Sequence, residues 1–136
     1  MPIINVKIKR GSAVKNDTET LTKEIAKRLT ESTVRVLKKN RELVVVTIDS
    51  QSSTKWHLAG EEGIQSSRPM FEVEIKVTEG SNSQEEVSTW IREAYETMVQ
   101  VLGESAGPNY ISVQQQPQEF WGYDGLSQYG RKKWDS

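Results

Sequence analysis

The chain has 136 residues, no cysteine and one histidine, and its 18 basic and 19 acidic residues give a net charge of −1. These counts exclude a disulfide framework and a thiolate or multi-histidine metal site, and the charge argues against binding nucleic acid through its phosphates. The mean hydropathy is −0.65, and no apolar run is long enough for a membrane span or a signal peptide. We therefore expect a cytoplasmic protein that binds neither nucleic acid nor membrane.

The first candidate for chemistry is Pro2, which follows the initiating methionine. A small second residue favours removal of that methionine, so the mature protein is expected to begin with a free prolyl amine. Burial of the amine at the start of a strand disfavours its charged form and lowers its pKa toward neutrality. A base that titrates near neutral pH suits proton transfer next to a carbonyl group.

The first half of the chain predicts a strand, a helix and a second strand. Residues 3–9 alternate between apolar and polar side chains as far as Gly11, and residues 43–48 form a second apolar run before an aromatic turn at 56–61. We expect a capping box at residues 16–19 and a left-handed stop at Asn40. The predicted helix between them has one apolar face, made of Leu21, Ile25, Leu29, Thr33, Val36 and Leu37.

The second half repeats this order of elements. Residues 71–77 alternate up to Gly80, residues 83–86 form a capping box, Gly103 is a predicted helix stop, and residues 110–115 precede another aromatic turn. The helical face between them carries Val87, Trp90, Ile91, Ala94, Met98, Val101 and Leu102. Trp56 and Trp121 are 65 residues apart. We interpret the chain as two fused βαβ units, residues 2–68 and 69–136, in one compact domain.

Two such units predict an α/β (α+β) fold. Each joins two parallel strands through a right-handed crossover, and their edges pair to give a four-stranded sheet with two helices on one face. We expect the other face to be exposed and apolar unless further copies of the chain cover it. A homo-oligomer with closed symmetry would provide that cover.

These features together resemble the tautomerase superfamily, and in particular its fused members, in which two 4-oxalocrotonate tautomerase-like units share one polypeptide. The resemblance covers nearly the whole chain. It rests on Pro2, on the strand–glycine–helix–strand order of both halves, and on the aromatic–glycine turns. The second turn, residues 117–125, fits the family pattern of Pro, a few polar residues and Trp-Gly-x-x-Gly; the first turn, at residues 56–61, fits more loosely.

The resemblance implies a tautomerase/MIF-like β-α-β fold, a homotrimer, and no metal or organic cofactor. It implies that Pro2 is the general base in keto-enol or dienol tautomerisation of small 2-oxo or 2-hydroxy unsaturated acids. In other branches of the family a protonated proline is instead the acid in hydratase, dehalogenase or decarboxylase chemistry. A catalytically silent assembly module is a third alternative. Phe71 stands where the second half would need a proline, so the chain has one prolyl site.

The cations that hold the substrate carboxylate in the family are not at their expected positions. Ser12 and Ser81 follow the two glycines, and Val44 and Tyr110 stand near the starts of the second strands, where arginines are expected. The candidate replacements are Lys9, Arg10 and Arg68, each of which also has an ordinary explanation as a solvated surface cation.

The remaining candidates are aromatic or titratable. Trp121 corresponds to the apolar wall beside the proline in family enzymes, and Trp56 is its counterpart in the first half; both could equally be core residues. Tyr110 could donate a hydrogen bond to a substrate oxygen. His57 is a candidate acid or base, although a lone loop histidine is more often plain surface. For chemistry that needs an activated water, His57, Tyr110 or Asp124 would be the activating group.

Overall fold

The computed structural model describes residues 2–11, 17–51, 53–62 and 68–135. The elements in chain order are β1 (Ile3–Lys9), α1 (Thr18–Val36), a 3-10 helix (Arg41–Leu43), β2 (Val45–Asp49), β3 (His57–Leu58), β4 (Glu61–Glu62), β5 (Met70–Thr78), α2 (Gln84–Leu102), β6 (Tyr110–Gln116), β7 (Gly122–Tyr123), β8 (Leu126–Ser127) and α3 (Gln128–Asp135).

The central sheet has the strand order β2-β1-β5-β6. Strands β1 and β2 pair in parallel, as do β5 and β6, whereas β1 and β5 run antiparallel with Val6 opposite Val73. The antiparallel pair therefore joins the two βαβ units at the middle of the sheet. The predicted four-stranded sheet and fold class are confirmed.

Both long helices lie on one face of this sheet and form a single core with it. The alternate residues Ile4, Val6 and Ile8 of β1 point into this core, and every one of the six residues predicted for the apolar face of α1 is buried. Trp90 of α2 is fully buried, and its indole N–H donates to Thr33 Oγ1 of α1 at 3.0 Å. This bond satisfies the one polar atom of a large core side chain and fixes α1 against α2.

The ends of the two long helices differ in how closely they match the sequence prediction. The predicted capping box at Ser83 and Glu86 is present, and the Ser83 backbone N–H holds the pKa of the Glu86 carboxyl below its ordinary value. Helix α1 instead begins after Asp17, whose carboxylate accepts from the Thr20 N–H. Asn16 lies outside the described residues.

The left-handed stop predicted at Asn40 is wrong, because Lys38 has the positive φ of 59° at that bend. Asn40 instead accepts a hydrogen bond from the Glu42 N–H and starts the short 3-10 helix. Leu43 is the last residue of this 3-10 helix, so strand β2 begins at Val45, two residues later than predicted. The extra turn brings Glu42 and Leu43 to the edge of the sheet where Pro2 lies.

The prediction of an apolar helix-free face is also wrong. The residues of β1 that point away from the helices include Asn5, Lys7 and Lys9, and their antiparallel partners on β5 include Glu74 and Glu72. Lys7 Nζ lies 3.9 Å from a Glu72 carboxylate oxygen. The face is therefore polar and charged, and any contact between copies over it would be made largely by polar groups.

Candidate active site

Pro2 lies buried at the edge of the sheet where the parallel strands β1 and β2 both begin. Its carbonyl oxygen accepts a hydrogen bond from the Val45 N–H at 3.4 Å, which fixes the proline beside the start of β2. A cavity of about 360 Å³ opens here, and its walls include Pro2, Leu43, Val45 and Trp121. The position predicted to carry the amine thus faces a small, mainly apolar cavity.

Trp121 is held in that cavity by hydrogen bonds to β5 and to the residue that follows its hairpin. Its indole N–H donates to Thr78 Oγ1 at 3.2 Å, and its carbonyl oxygen accepts from the Gln128 N–H at 2.8 Å. The hairpin β7–β8 turns at Asp124 and Gly125, which both have positive φ, as a type I′ turn requires. The second aromatic turn therefore folds back from the end of β6 and places its tryptophan next to Pro2.

Two carboxylates are the charged side chains among the described residues that line this cavity: Glu42 from the 3-10 helix and Asp124 from the hairpin turn. The aromatic wall is backed by a cation, because the Arg131 guanidinium lies 3.9 Å from the centre of the Tyr123 ring and donates to the Tyr123 carbonyl oxygen at 2.8 Å. Burial lowers the pKa of an amine, whereas nearby carboxylates raise it. The two influences on a free Pro2 amine therefore oppose each other here.

A second cavity, of about 490 Å³, lies at the opposite end of β1. Among the described residues its lining includes Lys9, Arg10, Lys55, Trp56 and Glu62. Seven residues of extended strand place it about 20 Å from Pro2. Within one chain, the structure thus brings Lys9, Arg10 and Trp56 together, but away from Pro2.

The two tryptophans stand at corresponding places in the two halves of the chain, and the surroundings of their indole N–H groups differ. Thr78 and Lys9 each stand two residues before the glycine that follows their strand, Gly80 and Gly11. Thr78 accepts from the Trp121 indole, whereas the buried Trp56 indole N–H has no hydrogen-bond partner among the residues that the structure describes. A lysine ammonium cannot accept a hydrogen bond, so the Lys9 side chain offers no acceptor at the position that corresponds to Thr78. Leaving such a donor buried costs about 1–3 kcal/mol.

The other predicted site residues line neither cavity. His57 lies on β3, with its Nε2 4.0 Å from a Glu62 carboxylate oxygen. A guanidinium nitrogen of Arg68 lies 3.5 Å from a Glu104 carboxylate oxygen. Tyr110 is 70% exposed at the start of β6. Ser12 lies outside the described residues, and Ser81 bonds to the Thr78 carbonyl oxygen and the Lys39 ammonium. Of the predicted substrate-binding residues, Trp121 alone shares the described lining of the Pro2 cavity.

Sequence reasoning missed Glu42, Leu43, Val45 and Tyr123 as lining residues of that cavity. A signal for three of them was available, because parallel strands of a βαβ unit begin at the same edge of the sheet. The residues just before and at the start of β2 must therefore lie near Pro2. The sequence held no comparable signal for Tyr123, whose place depends on how the hairpin folds back.

No protein-family model and no curated protein matches this sequence. Solved structures do match: native fused 4-OT has a TM-score of 0.78 at 20% identity, covering 93% of this chain and 96% of that one. Pt0534 inactivated by 2-oxo-3-pentynoate has 0.77 at 14%, covering 93% and 97%. A fused 4-OT symmetric trimer has 0.75 at 18%, covering 95% and 98%. The chain has the tautomerase-superfamily fold.

The fold, Pro2 at the start of β1 and the cavity beside it thus indicate one edge of the sheet as the candidate site. No helix among the described residues is both long enough and apolar enough to cross a membrane.

Proposed function

We propose that this protein is a cofactor-independent tautomerase in which Pro2 is the general base. Its substrates would be small 2-oxo or 2-hydroxy unsaturated acids. The amine removes a proton next to the carbonyl or from the enol hydroxyl and returns it to another carbon. The observation that carries the proposal is the burial of Pro2 in a cavity walled by Trp121, Leu43 and Val45.

The apolar wall supports this role in two ways. It removes water from the amine, which favours the neutral form that can accept a proton. The flat face of Trp121 also suits a planar conjugated acid, and the hydrogen bond to Thr78 holds that face in place.

The substrate carboxylate requires a cation, and the charged side chains in the described lining of the cavity are both carboxylates. The fused 4-OT that this chain resembles is a symmetric trimer. We extend the proposal to a homotrimer in which a neighbouring copy supplies the cation. Arg68 is the candidate, since its side chain is half exposed and its ion pair with Glu104 lies at the surface. Such exposed pairs are weak and easily exchanged.

One observation favours a second function. Glu42 and Asp124 line the Pro2 cavity and stabilise a positive charge on the amine. A protonated Pro2 would be a general acid in hydratase, dehalogenase or decarboxylase chemistry. Of the groups considered for activating water, Asp124 lies in this cavity, whereas the described positions of His57 and Tyr110 lie outside its lining.

The direct test is the activity of Pro2→Ala on a 2-hydroxydienoate. General base catalysis contributes about 10²–10⁴-fold, so we expect kcat/KM to fall by that factor while circular dichroism shows a retained fold. A chain whose Pro2 nitrogen is acylated by a retained N-terminal tag is the matched control. It keeps the pyrrolidine ring but lacks the amine, and it should be equally inactive. Full activity of the tagged chain would disprove the proposal.

A second test uses 2-oxo-3-pentynoate, which inactivates the similar protein Pt0534. We expect this compound to modify the protein at Pro2, as measured by mass spectrometry of the N-terminal peptide, and to abolish activity in proportion. A protein that shows neither modification nor turnover would instead be a silent assembly module. If Asp124→Asn removes water-adding activity as completely as Pro2→Ala does, Pro2 is the acid.

A further inference from the structure

We propose that Arg131 is a positioning residue for the Pro2 site, because it holds Tyr123 in the wall of the cavity beside the proline. Arg131 lies on α3, outside the described lining of that cavity, whereas Tyr123 is part of the lining. Arg131 therefore acts through Tyr123 and does not itself touch the substrate. Its role rests on the proposed function of Pro2 and determines how tightly the same cavity binds its substrate.

Arg131 contacts Tyr123 at two points, the ring and the backbone. The guanidinium carbon lies 3.9 Å from the centre of the Tyr123 ring, and Nη2 donates to the Tyr123 carbonyl oxygen at 2.8 Å. A cation over an aromatic ring is attracted by the electron-rich face, and the planar guanidinium has further N–H groups for a hydrogen bond. One side chain therefore fixes both the backbone of Tyr123 and the orientation of its ring.

The hairpin that carries Tyr123 is too short to be stable through its own pairing. Strands β7 and β8 have two residues each, and an isolated two-stranded hairpin is marginal in water at best. The base of the hairpin is held by the Gln128 N–H, which donates to the Trp121 carbonyl oxygen at 2.8 Å. Arg131 reaches the residue just before the turn, and so fixes the part of the hairpin that lies beyond this base contact.

The two contacts with Tyr123 are what holds the Arg131 guanidinium among the described residues. Its buried Nε has no hydrogen-bond partner there, and no carboxylate of the described residues forms an ion pair with it. A buried donor without an acceptor costs stability, so the guanidinium keeps its place over the ring against that cost. Because no described carboxylate neutralises it, its full charge acts on the Tyr123 ring.

Steady-state kinetics of Arg131→Gln on a 2-hydroxydienoate test this role in the full chain. The variant removes the charge and the planar group, so we expect KM to rise about tenfold through loss of the cation–ring contact and the hydrogen bond. The kcat should change less than about twofold, since Pro2 still transfers the proton. Lys132→Gln is the matched control, because it removes an exposed charge from the next residue of the same helix and should leave both constants unchanged. An unchanged KM in Arg131→Gln, or a loss confined to kcat, would overturn the proposal.

Arg131→Lys separates the planar group from the charge, and it gives a second measurement if Arg131→Gln does not fold. A lysine ammonium is a compact point charge that cannot bind the ring and the carbonyl oxygen with two parts of one plane. We therefore expect a KM between those of the parent protein and Arg131→Gln. A KM equal to that of the parent would show that a point charge suffices, which overturns the two-point contact.

A double-mutant cycle shows whether Arg131 acts through Tyr123. Tyr123→Leu removes the ring, so Arg131→Gln should raise KM less in this background than in the parent protein. An equal rise in both backgrounds would contradict the proposal.

Nuclear magnetic resonance of ring-labelled tyrosine gives a readout that does not depend on activity. The Tyr123 signals are assigned from the Tyr123→Leu spectrum, and we expect them to shift in Arg131→Gln and to stay in place in Lys132→Gln. If the signals respond in this way but the parent protein has no activity on the dienoate, the proposed function fails and the hold on Tyr123 stands. If the parent protein is active and the signals do not respond, the positioning role alone is disproved.

Discussion

The two aromatic hairpins of this protein have similar backbone conformations at their turns, but different side chains surround their tryptophans. Each turns through two residues of positive φ, Ala59 and Gly60 in the first and Asp124 and Gly125 in the second. The second places a hydrogen-bonded tryptophan beside Pro2 in a cavity lined by carboxylates. The first places Trp56, whose indole N–H has no hydrogen-bond partner in the described part of the chain, in a cavity whose described lining has three cations and one carboxylate.

The difference teaches that two hairpins with the same turn geometry can present different chemistry, because the side chains around them differ. Phe71 stands at the position equivalent to Pro2, and its nitrogen is an amide that donates to Asn109 Oδ1 at 2.9 Å. An internal amide nitrogen cannot serve as a base, so the second unit has no prolyl amine to present. Lys9, which corresponds to Thr78 by its spacing to the following glycine, is one of three cations in the described lining of the first hairpin's cavity.

The largest expected effect comes from Thr78→Val, which removes the acceptor of the Trp121 indole N–H and so makes Trp121 resemble Trp56. The substitution keeps the shape of the side chain but removes the acceptor of the indole N–H. We expect the free energy of unfolding to fall by about 1–3 kcal/mol, the cost of an unsatisfied buried donor, measured by chemical denaturation. Activity should fall as well, because the wall beside Pro2 is no longer held.

Thr78→Ser is the control for that experiment, since it retains the hydroxyl group. It should keep most of the activity and the position of the Trp121 indole resonance. If Thr78→Val is as stable and as active as the parent protein, the hydrogen bond does not hold the wall, and the contrast between the hairpins loses its basis.

The converse change, Lys9→Thr, gives Trp56 the acceptor that Trp121 has. We expect a smaller effect of opposite sign, a gain of about 0.5–1.5 kcal/mol in the free energy of unfolding, which is the net worth of one hydrogen bond. Lys9→Val, which supplies no acceptor, separates this gain from the mere removal of a charge. Equal stability of the two variants would count against the predicted indole–threonine bond.

The smallest expected effect concerns the starts of the two long helices. Hydrogen bonding lowers the pKa of both Asp17 and Glu86, so each carboxylate stabilises the fold above its unfolded pKa. That stabilisation is lost as the pH falls through the lowered folded pKa. Unfolding followed from pH 7 to about pH 3 should therefore show a shallower acid loss in Glu86→Gln than in the parent protein. If the free energy of unfolding falls with pH equally steeply in both proteins, the Glu86 carboxylate of the capping box does not contribute to the acid sensitivity of the fold.

The sequence predicted the fold because its signals were local and repeated. Alternation in β1 and β5, the spacing of buried residues in α1 and α2, and the Ser83 box each specify an element without knowledge of the others. The same alternation could have predicted the polar helix-free face, because it places Lys7 and Glu72 there. The prediction instead followed a general expectation, that a sheet with helices on one side has a second face that is apolar.

The site was less predictable because it depends on which ends of the strands meet. Lys9 and Arg10 are only seven and eight positions from Pro2 in sequence, yet an extended strand carries them to the opposite edge of the sheet. Trp121 is far from Pro2 in sequence and lies in the same cavity. Proximity in the chain therefore does not place Lys9 and Arg10 beside Pro2 within one chain, whereas the tryptophan named from the family resemblance shares the Pro2 cavity.

The central claim is that Pro2 is a neutral amine at physiological pH, and its pKa is the measurement that tests this most directly. It can be followed by nitrogen NMR on selectively proline-labelled protein from which Met1 has been removed. The account predicts a pKa below that of an ordinary α-amino group, because burial outweighs the carboxylates of Glu42 and Asp124. Glu42→Gln should then lower the value further. A value of about 9 or more in the parent protein would contradict the general base.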